Sequence, residues 1–89
     1  MPEITLTVEH QAGLHARPAA LLVKTANQFA SEIVIHKDDR QANAKSLLSV
    51  LTLGVSQDTE IRLSAQGEDA AEALARLSEL IERNFEEAE

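Results

Sequence analysis

Eighty-nine residues with 44% hydrophobic content are expected to fold as one small globular domain over residues 1–89, with a limited core. A net charge of −7 and only two aromatic residues, Phe29 and Phe85, exclude a nucleic-acid binder, which needs a basic face and stacking rings. The absence of cysteine excludes disulfides and thiolate metal sites, and no apolar run approaches the ~20 residues that span a bilayer.

In chain order, Ile4, Leu6 and Val8 alternate with Thr5 and Thr7, the period of a half-buried strand. Residues 9–13 form a loop leading into Gly13-Leu14-His15-Ala16-Arg17-Pro18-Ala19. An apolar helical stripe of Ala19, Leu22, Val23, Ala26, Phe29 and Ala30 starts there and is expected to run to Ala30. Proline is tolerated in the first turn of a helix, where its missing N–H has no partner to lose. His15 therefore falls at or just outside a helix N-terminus, where free N–H groups and the macrodipole favour an anion. Arg17 adds a fixed cation whose fork matches phosphate oxygens.

These residues suit the carriage of a phosphoryl group on an imidazole. A neutral ring nitrogen is a nucleophile near neutral pH, and surrounding positive potential disfavours the imidazolium. Once phosphorylated, the ring carries oxygens that the backbone N–H groups of Ala16 and Arg17, and the Arg17 side chain, would bind.

Glu32 to His36 is a second strand with Ile33 and Ile35 on one face; residues 37–40 form a tight turn; Gln41 to Asn43 is a polar edge strand. Ser46 is a good N-cap and Gly54 a good stop for a short helix from Leu47 to Leu53. That helix holds five large aliphatic side chains in seven residues. Val50 and Leu53 share one face, so Leu48 and Leu51 point elsewhere, as expected of a patch for a partner. Thr59 to Ala65 is the last strand. Gly67 turns the chain, Asp69 is expected to cap the last helix, and Ala70, Ala73, Leu74, Leu77, Leu80 and Ile81 form its stripe. Glu72–Arg76 and Glu79–Arg83 are i,i+4 pairs on its exposed face. Residues 86–89 are an acidic tail. The order β-α-β-β-α-β-α, with short antiparallel strands and helices on one face, predicts an α+β two-layer sandwich.

The heptapeptide around His15 resembles the active-site signature of HPr, the histidine-containing phosphocarrier of the bacterial phosphoenolpyruvate-dependent sugar phosphotransferase system. Residues 44–54, Ala-Lys-Ser-Leu-Leu-Ser-Val-Leu-Thr-Leu-Gly, resemble the regulatory-serine segment of the same family, and the spacing of the two blocks matches. The resemblance covers essentially the whole chain. It implies an open-faced sandwich with a four-stranded antiparallel sheet. It implies that Enzyme I phosphorylates His15 on Nδ1 and that His15 passes the group to Enzyme IIA domains in sugar transport. The chain would then be a covalent carrier rather than an independently turning-over transferase. Arg17 would orient the phosphoryl group, and Ala16, Ala20, Leu47, Leu48 and Leu51 would form the docking rim. Ser46 would be a target for a serine kinase/phosphorylase. Leu48 and Leu51 stand where methionine is frequent in relatives, which keeps the apolar character with less adaptability.

Two other functions are compatible with these residues: a paralogous carrier of a regulatory, nitrogen-related branch, and a small regulatory module that binds without carrying phosphate. His10, His15 and His36 fit no common metal-ligand spacing. Three glycines, Gly13, Gly54 and Gly67, exclude a glycine-rich nucleotide loop, so no cofactor is expected and the phosphoryl group must come from a protein. With no charged-then-apolar leader, the chain is expected to be free-standing, cytoplasmic and monomeric.

Overall fold

A computed structural model describes residues 2–9, 16–83 and 85. The elements are β1 (Glu3–Val8), α1 (Ala16–Ala26), β2 (Glu32–Lys37), β3 (Arg40–Asn43), α2 (Leu47–Leu53), β4 (Thr59–Gln66) and α3 (Ala70–Glu82). The four strands form one antiparallel sheet in the order β1-β4-β2-β3. The expected α+β sandwich is the observed architecture, with β3 on an edge as its polar sequence predicted.

Alternation along each strand sorts the two sheet faces. Ile4, Leu6 and Val8 of β1, Ile33 and Ile35 of β2, Ala42 of β3, and Ile61, Leu63 and Ala65 of β4 turn toward the helices and join the core. Glu3, Thr5, Arg62, His36 and Gln41 lie on the open face, where Arg62 pairs with Glu3 at 3.6 Å. Helix α3 lies over β1 and β4, α2 lies against β3, and α1 packs on both α2 and α3. Leu22 and Ala26 of α1, Val50 and Leu53 of α2, and Ala73, Leu74, Leu77 and Ile81 of α3 close the core from the helix side. Among the described residues no helix is long and apolar enough to cross a membrane.

Helix α1 ends at Ala26, not at Ala30 as the apolar period predicted. The chain tightens there, with Gln28 N–H bonded to Thr25 O at 3.1 Å and Phe29 N–H to Ala26 O at 3.2 Å. Tertiary partners take the next polar groups. Lys45 Nζ donates to Phe29 O at 2.7 Å, and the amides of Ala30 and Ser31 donate to the Asp69 carboxylate at 2.8 and 2.9 Å. The period outlives the helix because Phe29 still reaches the core; Ala30 is exposed.

Asp69 precedes α3 but does not cap it. Its backbone (φ −105°, ψ 24°) is outside the extended region of a capping residue, and its side chain bonds no helix N–H. The carboxylate holds the α1–β2 connection instead, taking the Ser31 hydroxyl as well as the two amides. The hydrogen bond from Ser31 Oγ, then that from the Ala30 amide, holds the Asp69 carboxyl below its ordinary value of 3.8. Beside it Gly67, at φ +148°, lies so close that a Cβ would fall 2.5 Å from Ser31 Oγ. Because the folded-state pKa is depressed, the contribution of Asp69 is complete above the unfolded value. It is lost as pH falls from about 3.8 through the folded value. Asp69→Asn is therefore expected to melt below the parent chain at pH 7, and the difference should shrink steadily as pH drops below 3.8; a constant difference in Tm down to strong acid would contradict this. On α3 itself Glu79 and Arg83 pair at 2.8 Å, whereas the expected Glu72–Arg76 pair is not closed.

Candidate functional site

Helix α1 begins at Ala16, the residue after His15 in the sequence. His15, His10, Gly13, Leu14 and residues 86–89 lie outside the described residues. Arg17 is the second residue of α1 and is exposed, as are Ala16 and Ala20; Pro18 and Ala19 turn into the core. The proline sits in the first turn, where its lack of an N–H costs no intrahelical bond. Pro18 contributes no N–H, and those of Ala16 and Arg17 are among the groups at the helix start that have no intrahelical acceptor.

Helix α2 packs against α1 and is capped at both ends. The Ser46 side chain accepts from Ser49 N at 3.3 Å, with Ser46 itself extended (φ −113°, ψ 111°). Gly54 closes the helix at φ +74°, a left-handed conformation that favours glycine. Two cations that local sequence reading placed in a turn complete the C-terminal cap. Lys37 Nζ donates to Gly54 O at 2.8 Å, and Arg40 Nη2 donates to Thr52 O at 3.0 Å. Nothing in the local pattern signals these contacts, which join residues 12 to 17 apart. They tie α2 to the β2–β3 hairpin and so fix which of its sides faces outward.

One side faces the core with Val50 and Leu53. The surplus leucines stay in solvent: Leu47 is 42% exposed, Leu48 75% and Leu51 38%, the large apolar side chains left exposed among the described residues. Ala16, Arg17 and Ala20 on α1 and Leu47, Leu48 and Leu51 on α2 thus lie on two helices packed together. Electrostatics distinguishes this part of the chain. Residues 1–57 carry five acidic and five basic side chains, whereas residues 58–89 carry ten acidic and three basic, so the whole net charge resides in the last third. The segment bearing α1 and α2 is neutral overall. His36 is half-buried on the open sheet face, its Nε2 3.0 Å from Ser64 Oγ, an ordinary structural pairing.

Comparison with known proteins accounts for this arrangement. The family described as "PTS HPr component phosphorylation site" matches residues 2–83. The chain is 44% identical over 82 residues to the HPr-like protein Crh of Bacillus subtilis, covering 92% of this chain and 96% of that one. It is 45% identical over 87 residues to the phosphocarrier protein HPr of Xylella fastidiosa, covering 98% of each. Its fold superimposes on HPr of Thermoanaerobacter tengcongensis with a TM-score of 0.94 at 48% identity, covering 99% of this chain and all of that one. A structure of the HPr dimer from the same organism gives a TM-score of 0.78. With its sheet order, its capped short helix and its whole length in register with these proteins, the chain belongs to the HPr family of phosphocarrier proteins.

Proposed function

We propose that this chain carries a phosphoryl group on His15 between Enzyme I and Enzyme IIA domains of the phosphoenolpyruvate-dependent sugar phosphotransferase system. The observation that supports this most strongly is the start of α1 at Ala16. It leaves the amides of Ala16 and Arg17 without intrahelical acceptors and an exposed Arg17 next to His15 in the sequence. In the transfer step an unprotonated nitrogen of the His15 ring attacks phosphorus. The new P–N bond forms as the donor's bond to phosphorus breaks, and the donor leaves with that electron pair. The Arg17 fork and the two amides balance the charge on the phosphoryl oxygens as it moves. The neutral balance of residues 1–57 spares a donor already carrying a negative phosphoryl group the repulsion that residues 58–89 would add. Ala16, Ala20, Leu47, Leu48 and Leu51 form the rim on which partners dock, and one copy of the chain suffices. Incubation with phosphoenolpyruvate and Enzyme I, followed by intact mass, should show one added phosphoryl group that acid removes; an unmodified chain overturns the proposal.

Near-equal similarity to HPr and to the HPr-like Crh supports a second reading, a small regulatory module that binds without carrying phosphate on His15. The same incubation separates the two, since the binding module stays unmodified.

Ser46 serves as a regulatory site in this proposal. It already caps α2, so Ser46→Ala should lose about 1 kcal/mol of stability yet accept phosphate from Enzyme I at the parent rate. Ser46→Asp keeps a capping oxygen and places a charge beside Leu47 and Leu48. It is expected to hold its melting temperature and slow transfer, with the slowing reduced at high salt. Equal transfer rates for Ser46→Asp and the parent at low salt would leave Ser46 a cap alone.

A further inference from the structure

Lys45, the residue before Ser46, has every polar group engaged. Its N–H bonds Asn43 Oδ1 at 2.9 Å, its carbonyl accepts from Asn27 Nδ2 at 3.3 Å, and its ammonium donates to Phe29 O at 2.7 Å. The Asn27 amide also caps Val23 O of α1 at 2.9 Å. The connection from residue 27 to residue 31 is therefore gripped from two sides. Asp69, at the start of α3, holds Ala30 and Ser31; Lys45, at the start of α2, holds Phe29. The two grips differ in number: Asp69 accepts three hydrogen bonds from the segment, whereas the Lys45 ammonium donates one. Among the described residues the ion pairs are Arg62–Glu3 and Arg83–Glu79, so no carboxylate competes for the Lys45 ammonium.

We propose that a phosphate on Ser46 draws the Lys45 ammonium away from Phe29 O, so that modification beside α2 loosens the end of α1. This rests on the reading of Ser46 as a phosphorylation site. The two residues are neighbours, and the flexible four-carbon stem of lysine lets its ammonium swing to the adjacent side chain. A phosphate brings about −1.5 to −2 charge and three strong acceptor oxygens. The bond to the Phe29 carbonyl is charge-assisted on one side only, whereas pairing with the phosphate adds direct attraction between opposite charges, so the exchange is favourable. Phe29 O then loses its donor while Asp69 keeps Ala30 and Ser31 in place. The change is confined to Asn27, Gln28 and Phe29, the residues that close α1.

The test installs phosphoserine at position 46 by genetic-code expansion, which requires no kinase, and follows the full chain by NMR. In the phosphorylated chain the carbonyl carbon of Phe29 should shift in the direction of a lost hydrogen bond. Amide exchange at Gln28 and Phe29 should quicken about fivefold, the effect of one ordinary hydrogen bond. The amides of Ala30 and Ser31 should change less. Lys45→Met, which keeps the apolar stem and removes the ammonium, should show the same shift and exchange without phosphate and gain nothing further from it. Lys45→Arg should preserve the response to phosphate. An unchanged Phe29 carbonyl in the phosphorylated parent chain overturns the proposal without reference to any variant. So does a full response in Lys45→Met. Neither result depends on whether modified Ser46 slows transfer from Enzyme I, so failure of that reading is seen separately in the transfer assay.

Discussion

Replacing His15 with alanine is expected to abolish acid-labile phosphorylation by Enzyme I and phosphoenolpyruvate, leaving no residual transfer. Only a side chain with a basic ring nitrogen can form the P–N bond at neutral pH, and alanine offers none. His36, the histidine among the described residues, is half-buried on the open sheet face and bonded to Ser64, in no helix-end environment that would bind phosphoryl oxygens. Intact mass of His15→Ala after incubation should equal that of the untreated chain. An acid-labile phosphate retained at His10 or His36 would overturn the assignment. Arg17→Ala tests the supporting charge. Arg17 is exposed, so the variant should fold normally, but removal of a donor aimed at the developing charge should slow transfer by about 10²-fold. Arg17→Lys should recover part of that loss, because an ammonium keeps the charge and loses the bidentate fork.

The features that local pattern could reveal are the ones that sequence reading recovered. Ile4, Leu6 and Val8 announce a half-buried strand by period alone, and all three turn inward. Ser46 and Gly54 bracket a helix of seven residues because each supplies what a helix end lacks, an acceptor oxygen and a left-handed backbone. The surplus of leucine on that helix exceeded what one face can bury, and the excess is exposed. Features set by contacts between distant residues were not legible. Asp69 looks like a cap to any reading of its neighbours, but the donors that claim it lie 38 and 39 positions upstream. The same competition ends α1 four residues early, since Lys45 and Asp69 take the groups that further helix would have used. The central place of β4, between β1 and β2, follows from no local signal either. At the candidate site the exposure of Arg17 and of the leucines follows from helical phase and is seen in the structure. The role of His15 rests on the residues around it in the sequence and on the family.

Leu48→Glu is expected to separate docking from folding. Leu48 is 75% exposed, so its substitution removes little buried surface. Leucine and glutamate have similar helix propensities, and surface changes of this kind stay within about 0.5 kcal/mol. The melting temperature should therefore hold. An apolar anchor at the centre of an interface is different: truncating or charging it costs about 2 kcal/mol or more of binding. The KM of Enzyme I for the chain should then rise by roughly tenfold or more, with kcat changed less, because the substitution touches recognition and not the phosphoryl group. Leu48→Ser should show the same trend, which excludes charge repulsion as the sole cause. Leu53, five residues along the same helix, supplies the contrast. It is 2% exposed, packed with Val50 in the core, and Leu53→Ala should cost about 2–5 kcal/mol from lost burial and the cavity left behind. In a chain of this size that loss lowers the melting temperature by roughly 8–40 °C. At a temperature where Leu53→Ala remains folded, the KM of Enzyme I for it should stay near the parent value. If Leu48→Glu melts as early as Leu53→Ala, the outward side of α2 contributes to the core. If it folds and transfers at the parent KM, partners dock elsewhere.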